Sequence, residues 1–147
     1  MIAVDTNVLV YAHRSDATRH ERAMLWLRHL AEGMIPWALP VFCIGEFVRI
    51  ATHRRVFNPP SSIPQALEAV DVILESPSVR LLTPTRLHWP LLRAAITAGE
   101  TGGNLVFDAQ IAAVCREHGV DRILTEDRDF GRFPFLLTVS LADEPAA

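Results

Sequence analysis

The chain has 147 residues, 50% of them hydrophobic and 21% charged, with a net charge of −3. That length suits one domain with a real core, and no apolar run is long enough to span a bilayer. All fourteen cationic residues are Arg, which excludes P-loop and Schiff-base mechanisms that need a lysine.

In chain order, Ile2-Ala3-Val4 is short, apolar and β-prone, which predicts a buried central strand. A short helix over 7–12 follows. Residues 19–32 carry Ala23, Trp26, Leu27 and Leu30 on one helical stripe that ends near Gly33. Trp37-Ala38-Leu39, between Pro36 and Pro40, reads as a short strand, and a strongly apolar helix is predicted over 41–55. Asn58-Pro59-Pro60-Ser61-Ser62 is a loop, and Ser62 with Gln65 forms a capping-box pattern for a helix running to about Glu75. Neither this helix nor its Pro-rich approach carries a readable motif, which leaves room for substrate choice there.

Val79-Arg80-Leu81-Leu82 reads as a strand, and the helix over 87–98 can hold Pro90 in its first turn. The loop 100–104 ends on Asn104 as N-cap, a helix runs from Leu105 to His118, and Gly119 closes it. Ile123-Leu124-Thr125 and Leu137-Thr138-Val139 are two further strands. A single domain over 1–142 and a loose tail over 143–147 are expected. With no basic start or cleavage signal the chain reads as cytoplasmic, and Cys43 and Cys115, isolated on apolar stretches, are expected as buried free thiols.

Short apolar strands alternating with helices imply an α/β fold, a parallel sheet covered on both faces. Ligands of such sheets bind beyond the carboxyl ends of the strands, at the switch point. Asp5 and Thr125 both fall at such ends.

Five acids interrupt this apolar pattern. Asp5 ends a buried strand, and Thr6 and Asn7 put two more oxygen-bearing side chains beside it; its simplest alternative role is a helix N-cap. Glu46 lies between Phe42 and Ile50 on its helical stripe, with an ion pair to Arg49 as the alternative. Gly45 next to it leaves room for another backbone or a ligand. Asp108 sits in a first helical turn, where the dipole favours an acid, yet its stripe of Leu105, Ile111, Ala112 and Cys115 points inward and Asn104 could orient it. Asp127 and Asp129 flank Arg128 in a turn, either as caps or as ligands, and Glu126 is expected to point outward.

All of these acids lie on elements expected to meet at one sheet edge. Clustered carboxylates raise each other's pKa unless a cation balances them, and a hard divalent ion is the natural counter-charge. Such a centre suits phosphodiester cleavage. The chain is acidic overall, so it has no global attraction to nucleic acid. Arg49, Arg54 and Arg55, with His53, are the nearest thing to a basic patch, or else a solvated helix end.

These residues resemble the PIN-domain ribonucleases, specifically the VapC toxins of type II toxin–antitoxin pairs. The resemblance covers nearly the whole chain. It rests on Asp5-Thr6-Asn7-Val8-Leu9, on Glu46, on the run from Asn104 through Asp108 to Ala113, on Thr125-Glu126-Asp127-Arg128-Asp129-Phe130, and on Phe133-Pro134. It implies a PIN-like α/β/α sandwich with a central five-stranded parallel sheet. It also implies a Mg²⁺- or Mn²⁺-dependent endoribonuclease that hydrolyses RNA phosphodiester bonds with a metal-activated water. Asp5 and Asp108 match the family's principal metal ligands, Glu46 its third acid and Asp127 its fourth, with Asp129 a further candidate. Thr6 and Thr125 match the supporting polar residues, and Asn7 and Asn104 join them as supporting side chains. The resemblance further implies a homodimer and a small cognate antitoxin.

Two rivals stay open at this point. One is a PIN-fold module that binds RNA or protein without cutting. The other is a phosphatase, although Asp5-Thr6-Asn7 lacks a second aspartate two residues on.

Overall fold

The computed structural model describes residues 1–146. Five parallel strands form one sheet: β1 Ile2–Val4, β2 Trp37–Pro40, β3 Val79–Leu82, β4 Arg122–Leu124 and β5 Leu137–Val139, in the order β3-β2-β1-β4-β5. The helices are α1 Thr6–His13, α2 His20–Glu32, α3 Val41–Ala51, α4 Ile63–Leu74, α5 His88–Gly99 and α6 Leu105–Glu117, with a short 3₁₀ turn at Arg128–Arg132. This is the α/β sandwich expected. The central strand β1 is entirely buried, which is why it can be three apolar residues with no alternation.

Strand order reverses at β1. The chain first steps to β2 and β3 on one side, then returns to β4 and β5 on the other. Right-handed crossovers put α1 to α4 on one face and α5 and α6 on the other. The packing agrees: α1 lies on α2 and α3, α3 on α4, and α5 on α6. The core between these layers includes Val4, Trp37, Phe47, Ile111, Leu124 and Phe130. At the reversal, the Asp5 backbone N–H donates to Leu124 O at 3.1 Å and the Thr125 N–H to Val139 O at 3.0 Å. The carboxyl ends of β1 and β4 are thereby held side by side.

The capping box forms as expected: Ser62 Oγ accepts from Gln65 N, and Gln65 Oε1 accepts from Ser62 N. Cys43 and Cys115 are free and buried. Burial pushes the Cys115 thiol up to about 12, with the nearby Asp5 charge adding to it.

Two expectations are corrected. The third helix ends at Ala51, not at 55. The Thr52 hydroxyl and N–H both turn back to Val48 O, and Ser61 N then donates to Ala51 O, so the chain doubles back. Arg54 and Arg55 therefore sit in a turn beyond the helix. Glu126 does not point outward: its carboxylate accepts Leu141 N at 2.6 Å and Ser140 Oγ at 2.9 Å, and pairs with Arg19 at 2.7 Å. It ties the end of β4 to the segment after β5 and to the start of α2. Asp143, in the expected tail, is engaged too: its carbonyl accepts from Arg22 and Trp26 on α2. Ala147, the last tail residue, lies outside the described residues.

Candidate active site

The switch point is organised by one hydroxyl. Asp5 is the N-cap of α1, with Oδ1 accepting from Thr6 N at 2.7 Å. Its Oδ2 accepts from the Thr125 hydroxyl at 2.6 Å. The same Thr125 oxygen accepts from Asn7 Nδ2 at 3.3 Å and from Asp127 N at 3.0 Å. One proton given and two taken exhaust the capacity of a hydroxyl, so Thr125 is a saturated hub joining β1, α1 and the turn after β4. Asp127 Oδ1 in turn accepts from Asp129 N at 2.9 Å. The capping roles weighed for Asp5 and Asp127 are thus real.

Asp5 is 5% exposed. Burial raises its carboxyl to about 6, helped by the charges of Glu46 and Asp127 and opposed by the bonds from Thr125 and Thr6. Asp108 is pushed to about 7, first by burial, then by Asp127, Asp5, Asp129 and Glu46. Glu46 is also raised by burial and Asp127, while Arg49 pulls the other way. Glu46 and Arg49 form no direct ion pair. The five acids found in the sequence therefore occupy one electrostatic neighbourhood.

Carboxylate oxygens of Asp108, Asp127 and Asp129 lie within 4.8 Å of one another, the geometry needed to share a cation. Asp5 and Glu46 lie around this trio rather than within it. Asp129, the lesser of the two turn acids by sequence, reaches the same point as Asp127. Two buried oxygens nearby, Thr6 Oγ1 and Asn7 Oδ1, have no hydrogen-bond partner among the described residues. An all-oxygen donor set with surplus negative charge and spare acceptors fits Mg²⁺ or Mn²⁺ rather than a softer metal.

Glu46 and Asp108 also line a cleft of about 580 Å³ between α3 and the start of α6, with Phe42, Gly45, Arg49, Asn104, Phe107 and Gln110. Asn104 holds the N-cap position of α6, but its side chain makes no cap hydrogen bond and is exposed towards the cleft. Of the arginine run, Arg49 alone lines this cleft; Arg54 and Arg55 do not. Sequence reasoning used Phe42 only as a spacing mark and passed over Phe107 as part of a motif. The available signal was a large aromatic directly before an acid on a helix whose buried stripe lies elsewhere.

Comparison with known proteins bears on the family and the fold. The family model described as "PIN domain" matches residues 2–136. The chain is 39% identical to Ribonuclease VapC43 of Mycobacterium tuberculosis over 133 residues, 90% of each chain. Among solved structures, M. tuberculosis VapC20, described as a sarcin-ricin loop cleaving toxin, superposes with a TM-score of 0.63 at 22% identity, over 89% of this chain and 93% of that one. Rickettsia felis VapBC2, bound to a promoter DNA fragment, gives 0.64 at 19% identity, over 95% and 98%.

Proposed function

This chain belongs to the PIN-domain family and, within it, to the VapC ribonucleases, and on that premise we propose that it is a metal-dependent endoribonuclease acting as the toxin of a type II toxin–antitoxin pair. The observation that carries the reading is the convergence of the Asp108, Asp127 and Asp129 carboxylates beside Asp5 and Glu46, five acids against which the charges of Arg49, near Glu46, and Arg132, 3.8 Å from Asp129, leave a negative surplus. Asp5 and Asp108 would hold Mg²⁺ or Mn²⁺ together with Asp127 and Asp129, whose carboxylates converge with that of Asp108, and Glu46 would complete the centre directly or through waters. Bound there, such an ion would polarise a phosphate and lower the pKa of a water.

The chain's own residues prepare that chemistry. Thr125 fixes Asp5 and Asp127 in one geometry, so the centre is organised in advance rather than assembled on binding. Asn7 is held by its bond to Thr125, and its Oδ1 is buried without a hydrogen-bond partner among the described residues. Burial excludes solvent from Asp5 and strengthens every charge interaction around it. Arg49, at the cleft wall, is placed to meet an RNA phosphate. The VapBC2 pair among the structural neighbours supports a cognate antitoxin as partner, and homodimerisation is part of the same family reading. No helix among the described residues is long and apolar enough to cross a membrane. Action in the cytoplasm follows from the proposed substrate, RNA.

The test is cleavage of total RNA by purified protein in Mg²⁺, Mn²⁺ or EDTA, beside Asp5→Ala and Asp108→Ala. Discrete fragments that require the metal and both acids are expected. Intact RNA with folded, antitoxin-free protein in every lane would point to a binding module instead.

A further inference from the structure

The cleft beside Glu46 and Asp108 has a wall that the acid chemistry does not use. Phe107, directly before Asp108, is 58% exposed. It makes none of the aromatic pairings found among the described residues. Phe42, in the first turn of α3, reaches the same cleft and is backed by His88, the ring centroids 5.6 Å apart. An apolar ring left in water forfeits the favourable free energy of its burial, so Phe107 is poised for an occupant.

Gly45 supplies an independent observation. It is exposed, in the middle of α3, and its φ is not positive; a Cβ built on it meets nothing within 4 Å. Neither backbone conformation nor packing requires glycine there, and a mid-helix glycine weakens a helix relative to alanine. Gly45 lines the cleft, so a side chain there would extend into open space beside it.

We propose that this cleft receives one unpaired nucleobase of single-stranded RNA next to the scissile phosphate, stacked on Phe107 with Phe42 and Gly45 forming the rest of the slot. The inference rests on the ribonuclease reading above and assigns the residues that would seat the base. Aromatic side chains stack bases of any sequence, but only a base freed from its helix can offer both faces. Gln110 places a carboxamide, both donor and acceptor, in the same cleft to meet the base edge, and Arg49 adds a cation for the adjoining phosphate. The volume, about 580 Å³, lies within the usual range for a small-molecule site. Duplex RNA, whose base faces are covered, is excluded from this slot.

The experiment scans 2-aminopurine through a single-stranded oligoribonucleotide and reads its fluorescence on binding in EDTA, with the matching duplex alongside. Wild-type protein quenches the probe at one position, and the duplex shows no quenching. Phe107→Ala abolishes the quenching and weakens binding about tenfold, Phe107→Trp retains both, and Gly45→Leu blocks binding while the protein melts no lower than wild type. Quenching that survives Phe107→Ala, or equal binding of duplex, overturns the proposal. So does a Phe107→Ala variant that changes only the sedimentation of the protein, which would make the cleft an interface between copies. Cleavage of total RNA measured in parallel separates the two readings. Metal-dependent cleavage without quenching removes the slot and leaves the nuclease, whereas quenching without cleavage removes the nuclease and leaves the slot.

Discussion

Replacing Asp5 by Asn removes a buried charge while keeping the shape of the side chain. The pKa of Asp5 rises from 3.8 to about 6 on folding, and each unit corresponds to about 1.4 kcal/mol. Without a cation, the ionised carboxylate therefore disfavours the fold by about 3 kcal/mol above pH 6. The sign follows from proton binding: the folded chain keeps a proton that the unfolded chain has released, so wild-type stability falls as pH rises from about 4 to about 6. Asparagine keeps a carbonyl for Thr6 N, but its amide meets Thr125 Oγ1, which already accepts twice, and strands the hydroxyl proton. That mismatch costs about 1 kcal/mol. The net expectation is a variant about 2 kcal/mol more stable than wild type at pH 8 in EDTA, the gain vanishing at about pH 4.5 and turning into a deficit of up to about 1 kcal/mol at lower pH, where only the amide mismatch remains. Urea titrations across this range measure it. Adding Mg²⁺ at about 100 times its dissociation constant should stabilise wild type by about 2.7 kcal/mol and leave the variant unmoved. A variant destabilised by more than about 1 kcal/mol at pH 8, with no trend in pH, would refute the reasoning and make Asp5 a structural cap.

Three further outcomes follow from particular contacts. Thr125→Val is nearly isosteric but orphans Asp5 Oδ2, Asn7 Nδ2 and Asp127 N together; a loss of about 2 kcal/mol is expected by denaturant titration, with metal-dependent cleavage falling more steeply than stability explains. Gly45→Ala should stabilise the protein by about 1 kcal/mol, read as a raised melting temperature, because its Cβ enters open space. Glu117 accepts from Thr85 N, Thr85 Oγ1 and His88 Nδ1 at 2.6–2.8 Å and so pins the loop before α5 to the end of α6. Glu117→Gln is expected to cost about 1 kcal/mol in thermal unfolding while cleavage of RNA stays at the wild-type rate.

Much of the fold was legible because its signals are local. Ile2-Ala3-Val4 must be a central strand, since three consecutive apolar residues need cover on both faces. Ser62 and Gln65 announce a helix start through bonds that span three residues. The acids were legible for a related reason: a carboxylate within an apolar run is anomalous wherever the chain goes. The end of α3 was not legible, because Val41 to Arg55 has no breaker, and what stops the helix is Thr52 turning back to Val48 and the later Ser61 reaching Ala51.

Sequence by itself determined the order of strands and helices, the five acids, and the sheet edge at which they collect. Only the tertiary structure decided what those acids do to one another. Thr125 serves Asp5 from 120 positions away, Glu126 turns inward onto Leu141, and Asp129 joins Asp108 and Asp127 at one point. Phe107 becomes the wall of a cleft only when α6 is set beside α3. Hydrogen bonds and Coulomb interactions act through space over a few ångströms, so partners far apart in the chain acquire their chemistry only once the sheet brings them together.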